Sequence, residues 1–191
     1  MVGGVGGRRP LTKSMADLTK LICFDTETTG LSKAAEILQL SIVDGTGQIL
    51  FNELIKPSRA TAWPEAERVH HITPDMVADK PEMSAFRSDI EAILAAAQYY
   101  IGYNVKFDLR MLKQCGISMT AFHRPGCQVI DVMQHFAPIY GEWNASRGGF
   151  CWKNLETCAA YYNYDWGDEK AHGALADTKA TLYCFKKMKG L

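Results

Sequence analysis

Four carboxylates in three separate segments carry the chemistry this chain could perform. Asp25 and Glu27 stand two positions apart at the end of the apolar run Leu21-Ile22-Cys23-Phe24. Such a run reads as a buried strand, and strand side chains alternate with period two, so both acids point to the same side. Two anions that close repel each other unless a cation lies between them. Taken alone, the pair is equally consistent with a solvated strand end. Asp108 falls in the first turn of a predicted helix, just after the short apolar strand Tyr99-Tyr100-Ile101. A helix-start acid favoured by the helix dipole explains it equally well. If the two strands are parallel neighbours, however, Asp108 reaches the same sheet edge as Asp25, where α/β sheets hold their ligands. Asp177 lies in the first turns of the last helix, and His172 precedes that helix on a loop. A loop histidine beside a capping-region acid is the plain alternative. Together the four acids suit two hard cations such as Mg²⁺, which prefer oxygen ligands; they do not make a thiolate or multi-histidine site.

The elements that must position these groups follow from periodicity. Strands are predicted at Leu21–Phe24, at Ile37–Val43 and, after the turn Asp44-Gly45-Thr46-Gly47, at Gln48–Ile55. Asp-Gly in that turn supplies positive backbone φ. Residues 57–83, with four prolines, read as irregular. Ser84 is the expected N-cap of a helix that buries Phe86, Ile90, Ile93, Leu94 and Ala97. Asn104 is expected to cap a helix running to Leu112. A fifth strand covers Val129–Val132, and a helix follows to Ile139. Residues 140–151 read as a glycine-containing loop, Lys153–Tyr161 as a helix, and Gly173–Met188 as the last helix. Three strands followed by strand–helix alternation give a mixed α/β sandwich.

At 191 residues, with 47% hydrophobic and 22% charged residues and zero net charge, the chain fits one globular domain. Residues 1–18 have the composition of a flexible extension, with Met15 a candidate natural start, and 19–191 form the domain. Bulk charge neither requires nor excludes a nucleic-acid partner. The six cysteines form no CxxC pair and no zinc-ligand spacing with histidine. Free thiols, no leader-length apolar segment and no membrane-length run point to a cytoplasmic protein without a membrane partner.

With the motifs in view, the chain resembles the DEDDh 3′→5′ exonucleases, of the type of the proofreading (epsilon) subunit of bacterial replicative DNA polymerase. Asp25-x-Glu27, Asn104-x-x-Phe107-Asp108, and His172 with Asp177 stand in the order and spacing of that family's three motifs. Val69-His70-His71-Ile72 and Asn154-Leu155-Glu156-Thr157-Cys158 are similar to further family segments. Tyr103, His71 and Gln39 depart from its usual pattern.

The resemblance implies an RNase H-like fold: a five-stranded mixed sheet, strand two antiparallel, flanked by helices. It implies a two-metal hydrolase using Mg²⁺ or Mn²⁺, the ions about 3.5–4 Å apart. Asp25 would bridge both ions, Glu27 and Asp177 would hold the one carrying the water, Asp108 would act on the other, and His172 would be the base. It further implies substrate contacts from Thr28, Thr29, Leu31, His70, Asn104 and Phe107. The implied substrate is single-stranded DNA or a frayed 3′ end, and the implied partner a DNA polymerase or repair complex. RNA 3′-end trimming, a non-catalytic nucleic-acid-binding subunit and an RNase H-like endonuclease are the competing readings. Lys106, Arg110 and Lys113 form one helical stripe that could meet phosphates. Trp143, Phe150 and Trp152, with Arg147 and Lys153 nearby, could stack bases or equally anchor a loop to the core.

Overall fold

The computed structural model describes residues 17–167 and 173–191; the expected 1–18 extension lies almost wholly outside them. Five strands form one sheet: β1 (Leu21–Thr28), β2 (Ile37–Asp44), β3 (Ile49–Leu54), β4 (Tyr99–Gly102) and β5 (Gln128–Asp131), in the spatial order β3-β2-β1-β4-β5. β2 runs antiparallel to both neighbours, while β1, β4 and β5 are parallel. This is the mixed sheet with an antiparallel second strand that the resemblance implies. β1 extends to Thr28, beyond the apolar run, so both acids lie within the strand.

The central strand is apolar on both faces because both faces are covered. Ile22 and Phe24 enter one core with Leu94 of helix α3 (Met83–Ala96) and Met111 of helix α4 (Lys106–Gln114). Leu21 and Cys23 enter the other, made by α5 (Val132–Tyr140), α6 (Leu155–Tyr161) and α7 (Ala174–Lys189) through Phe136, Cys158 and Phe185.

Several local expectations are corrected. Residues 57–83 contain two short helices, α1 (Pro64–His70) and α2 (Pro74–Val77). Each begins on its proline, which lacks only an N–H that a helix start cannot pair. Ser84 is not the cap of α3: the helix starts at Met83 after Glu82, without a side-chain cap. Asn104 does not cap α4 either. It sits at φ 58, in the left-handed region, and Val105 precedes the helix. Gly45 is needed for closeness, since a Cβ there would lie 2.5 Å from the Leu18 carbonyl oxygen; the positive φ of the turn falls on Gly47. Within the supposed 140–151 loop, Trp143–Asn144 (β6) pairs with Gly149–Phe150 (β7) as a hairpin.

Gly102 ends β4, and a Cβ there would come within 2.9 Å of Val105 Cγ2 and 3.0 Å of Val105 Cβ, a stiff branched side chain. The absent methyl group lets the turn that follows fold tightly. Gly102→Ala should therefore cost about 1–3 kcal/mol of stability, read as a lower urea midpoint; an unchanged midpoint would contradict the packing argument.

Candidate active site

Strand alternation decides where each acid goes. Leu21 and Cys23 face the α7 side of the sheet, Ile22 and Phe24 the α4 side. The same parity puts Asp25 and Glu27 on the α7 side and Thr26 on the α4 side. Asp177 lies in the first turn of α7. One carboxylate oxygen from each of Asp25, Glu27 and Asp177 lies within 4.8 Å of the others. Asp108, in the first turn of α4 and buried, approaches from the other side. Its Oδ1 accepts hydrogen bonds from Thr26 N (3.1 Å) and Thr26 Oγ1 (2.7 Å). It stands outside the close group of three, yet its charge is felt by Asp25 and Glu27.

The crowding has a chemical signature. Burial, then the charges of Asp108, Glu27 and Asp177, hold the Asp25 carboxyl well above the usual range. Burial, then Asp177 and Asp108, push Glu27 up to about 8. Burial raises Asp108 to about 7 against the opposing hydrogen bonds from Thr26. Carboxyls that resist ionisation for lack of a counter-charge form a donor set fitted to divalent cations: all-oxygen, anionic and convergent.

Around the acids the loop residues divide. Thr29 N donates to the Glu36 carbonyl (2.9 Å) and Thr29 Oγ1 accepts from Glu36 N (3.0 Å), while Thr28 Oγ1 donates to Gly30 O (2.8 Å). His70 is buried. Its Nδ1 accepts from Ile72 N (3.0 Å), so Nε2 carries the proton and donates to the Thr28 carbonyl (3.1 Å). Burial lowers its pKa, consistent with a neutral ring. Both nitrogens are thus occupied, and His70 braces the Thr28 backbone. Leu31 is 78% exposed. The Arg110 guanidinium donates to the Leu31 carbonyl (3.2 Å) and lies 5.1 Å from the Phe107 ring centroid, joining those three residues. Of the basic stripe, Arg110 has this intramolecular role, while Lys106 and Lys113 are exposed. His172 lies outside the described residues.

Three supporting residues escaped the motif reading. Thr26 orients Asp108, and the alternation that sets it between two acids was the available signal. Asp131 accepts from Asn104 N (3.1 Å) and from Gln134 Nε2 (3.1 Å), so the left-handed Asn104 turn is held from β5. Gln39, whose Cα pairs with that of Glu27, accepts from Ala174 N (3.1 Å) and donates to Asn52 (3.3 Å). Gly173 gives α7 no side-chain cap, so Gln39 satisfies that helix start from the neighbouring strand. Its own sequence neighbourhood carries no signal for this, 135 positions away.

A sequence-family model for exonucleases, of RNase T type, matches residues 22–185. Uncharacterized exonuclease CP81 of Escherichia phage 186 is 31% identical over 173 residues, covering 84% of each chain. A DNA polymerase III subunit epsilon-like protein of Rhodobacter capsulatus is 30% identical over 97% of this chain, which spans only 26% of that protein. Among solved structures, Exonuclease X in complex with 5′ overhanging duplex DNA superimposes with a TM-score of 0.60 at 22% identity, covering 90% of this chain and 93% of that one. That likeness concerns the fold.

The raised carboxyl pKa values fix a pH dependence. Without metal, the native state keeps protons that the unfolded chain releases, so stability falls as pH rises from about 4.5 to about 8, the span of the Glu27 shift. Mn²⁺ or Mg²⁺ should stabilise the protein, and more strongly near pH 8 than near pH 5, where protons compete for the same oxygens. Urea unfolding at the two pH values, in EDTA and with cation, measures both effects. A midpoint indifferent to cation at pH 8 would contradict the site.

Proposed function

The chain belongs to the RNase T exonuclease family, and on that premise we propose that it removes nucleoside 5′-monophosphates stepwise from the 3′ end of single-stranded or frayed DNA. The observation that carries this reading is the convergence of Asp25, Glu27 and Asp177 within 4.8 Å, on a strand and a helix held together by packing. Two divalent cations bound there, Mg²⁺ or Mn²⁺, would supply positive charge to the attacking and leaving oxygens of the phosphodiester. Asp25 would help hold both cations, Glu27 and Asp177 one of them, and Asp108 the other. His172 would take the proton from the attacking water, the role of a general base.

The terminal nucleotide would lie against the backbone of Thr28 and Thr29, with exposed Leu31 and partly exposed Phe107 as apolar flanks and Asn104 at the neighbouring turn. His70 would serve there by bracing Thr28. The DNA assignment draws support from the relative named for DNA polymerase III. Domain 19–191 would act alone or within a polymerase or repair complex. Six free cysteines, three of them buried, suit a reducing cytoplasm; among the described residues no helix is long and apolar enough to cross a membrane.

Single-stranded DNA and RNA, labelled at either end, test the reading in Mg²⁺ and in EDTA. The 5′-labelled DNA should shorten one nucleotide at a time, only with metal, and faster than RNA. Internal cuts, or binding without cleavage, would overturn it; RNA shortened faster than DNA would move the assignment to RNA trimming. His172→Ala should lower kcat by about 10²- to 10⁴-fold while Mn²⁺ affinity stays near that of the unaltered protein. Unchanged turnover would remove His172 from the mechanism.

A further inference from the structure

The β6–β7 hairpin shows three large aromatic side chains to water: Trp143 is 56% exposed, Phe150 41% and Trp152 62%. They do not anchor the hairpin to a core, which the sequence left as the equal alternative. Trp143 meets Phe150 edge to face at 5.2 Å and so fixes the ring from behind. The hairpin is itself well tied. Asn144 Oδ1 accepts from Arg147 N (3.0 Å) and Ser146 Oγ (2.6 Å), and Cys151 N donates to the Glu142 carbonyl (2.7 Å). Lys153 pairs with Glu142 and lies over the Tyr140 ring.

Between this hairpin and α5 runs a groove of about 480 Å³, within the size range of ligand pockets. Its walls include Gln134, Ala137, Pro138, Arg147, Phe150 and Trp152. Two of its borders are hydrogen-bonded to the turn that precedes Asp108. Gln134 donates to Asp131, and Asp131 accepts from Asn104 N, in the turn that leads to Asp108. From the other side, the Tyr103 hydroxyl has the carbonyls of Lys153 (2.8 Å) and Asn154 (2.9 Å) within reach of its one proton, where the chain leaves the hairpin.

We propose that this groove holds the DNA strand on the 5′ side of the nucleotide being removed, with a base against Trp152 and Phe150 and a phosphate at Arg147. The inference rests on the function proposed above. Its occupant follows from the tie between its walls and the turn that precedes Asp108, and from chemistry. Flat rings accept any base face, so grip is independent of sequence, as an enzyme that steps along a strand requires. Arg147 supplies the one cation among the groove-lining side chains.

The test compares the unaltered protein with Trp152→Ala/Phe150→Ala and with Arg147→Gln. Substrates are oligodeoxythymidylates of increasing length and thymidine 5′-(p-nitrophenyl phosphate), which has no upstream strand and reads the catalytic centre alone. For the longer strands, KM of the double variant should rise about 5- to 150-fold, the equivalent of one stacked base, with kcat and ester hydrolysis held. Trp152→Phe should recover most of the loss. Arg147→Gln should flatten the salt dependence of strand binding. An unchanged length dependence would overturn the proposal, as would equal losses on ester and strand. A variant that turns a dimer into a monomer without moving KM would instead make the hairpin a face between two copies. Anisotropy of a labelled strand in EDTA separates the two levels: length-dependent binding lost in the variant, in a protein that cleaves nothing, would overturn the catalytic reading and leave the groove standing.

Discussion

The alternation of side chains along β1 is the constraint on which the rest depends. It sends Asp25 and Glu27 to the face that α7 covers and Thr26 to the face that α4 covers. Asp177 can therefore join the first pair directly, whereas Asp108 must approach through Thr26 from behind. A one-residue slip of β1 would exchange these faces and dissolve the group. Such a slip is opposed by Leu21, Ile22, Cys23 and Phe24, all fully packed on alternating sides. The apolar stretch before the acids is thus what sets their direction.

Repulsion among the acids would expel them to solvent if they stood on mobile segments. Here each is fixed by something other than charge. β1 is central in the sheet, Asp108 is pinned by two hydrogen bonds, and the start of α7 is tied to Gln39. The fold holds an unfavourable charge arrangement in place, the usual condition of a preorganised site. The surrounding loops follow the same logic. His70, Arg110 and Asp131 each use a polar side chain to fix a neighbouring turn.

Much of this was legible in the sequence. The five strands of the main sheet announced themselves as apolar runs; the antiparallel direction of the second is what the family resemblance implies. Asp25 and Glu27 share a side by strand alternation and Asp108 stands at a strand-to-helix junction, whereas Asp177, at a helix start that follows a loop, joins them through the family motif. The short helices α1 and α2 escape because proline begins a helix as readily as it breaks one, and β6 and β7 because two-residue strands have no period to detect. Asn104 was expected to cap α4 by its residue type; its left-handed backbone and its bond to Asp131 depend on a strand that arrives 27 positions later. Gln39 escapes for the same reason: a contact across 135 positions leaves no local trace.

Gln39 carries a consequence for the heat and stoichiometry of cation uptake. It is the cross-strand neighbour of Glu27, and it is an amide. A carboxyl at that register position would add another ionisable group directly opposite Glu27. With the amide, the proton inventory is smaller. Fewer protons then leave as cations enter, and the measured enthalpy of binding depends less on the buffer that receives them.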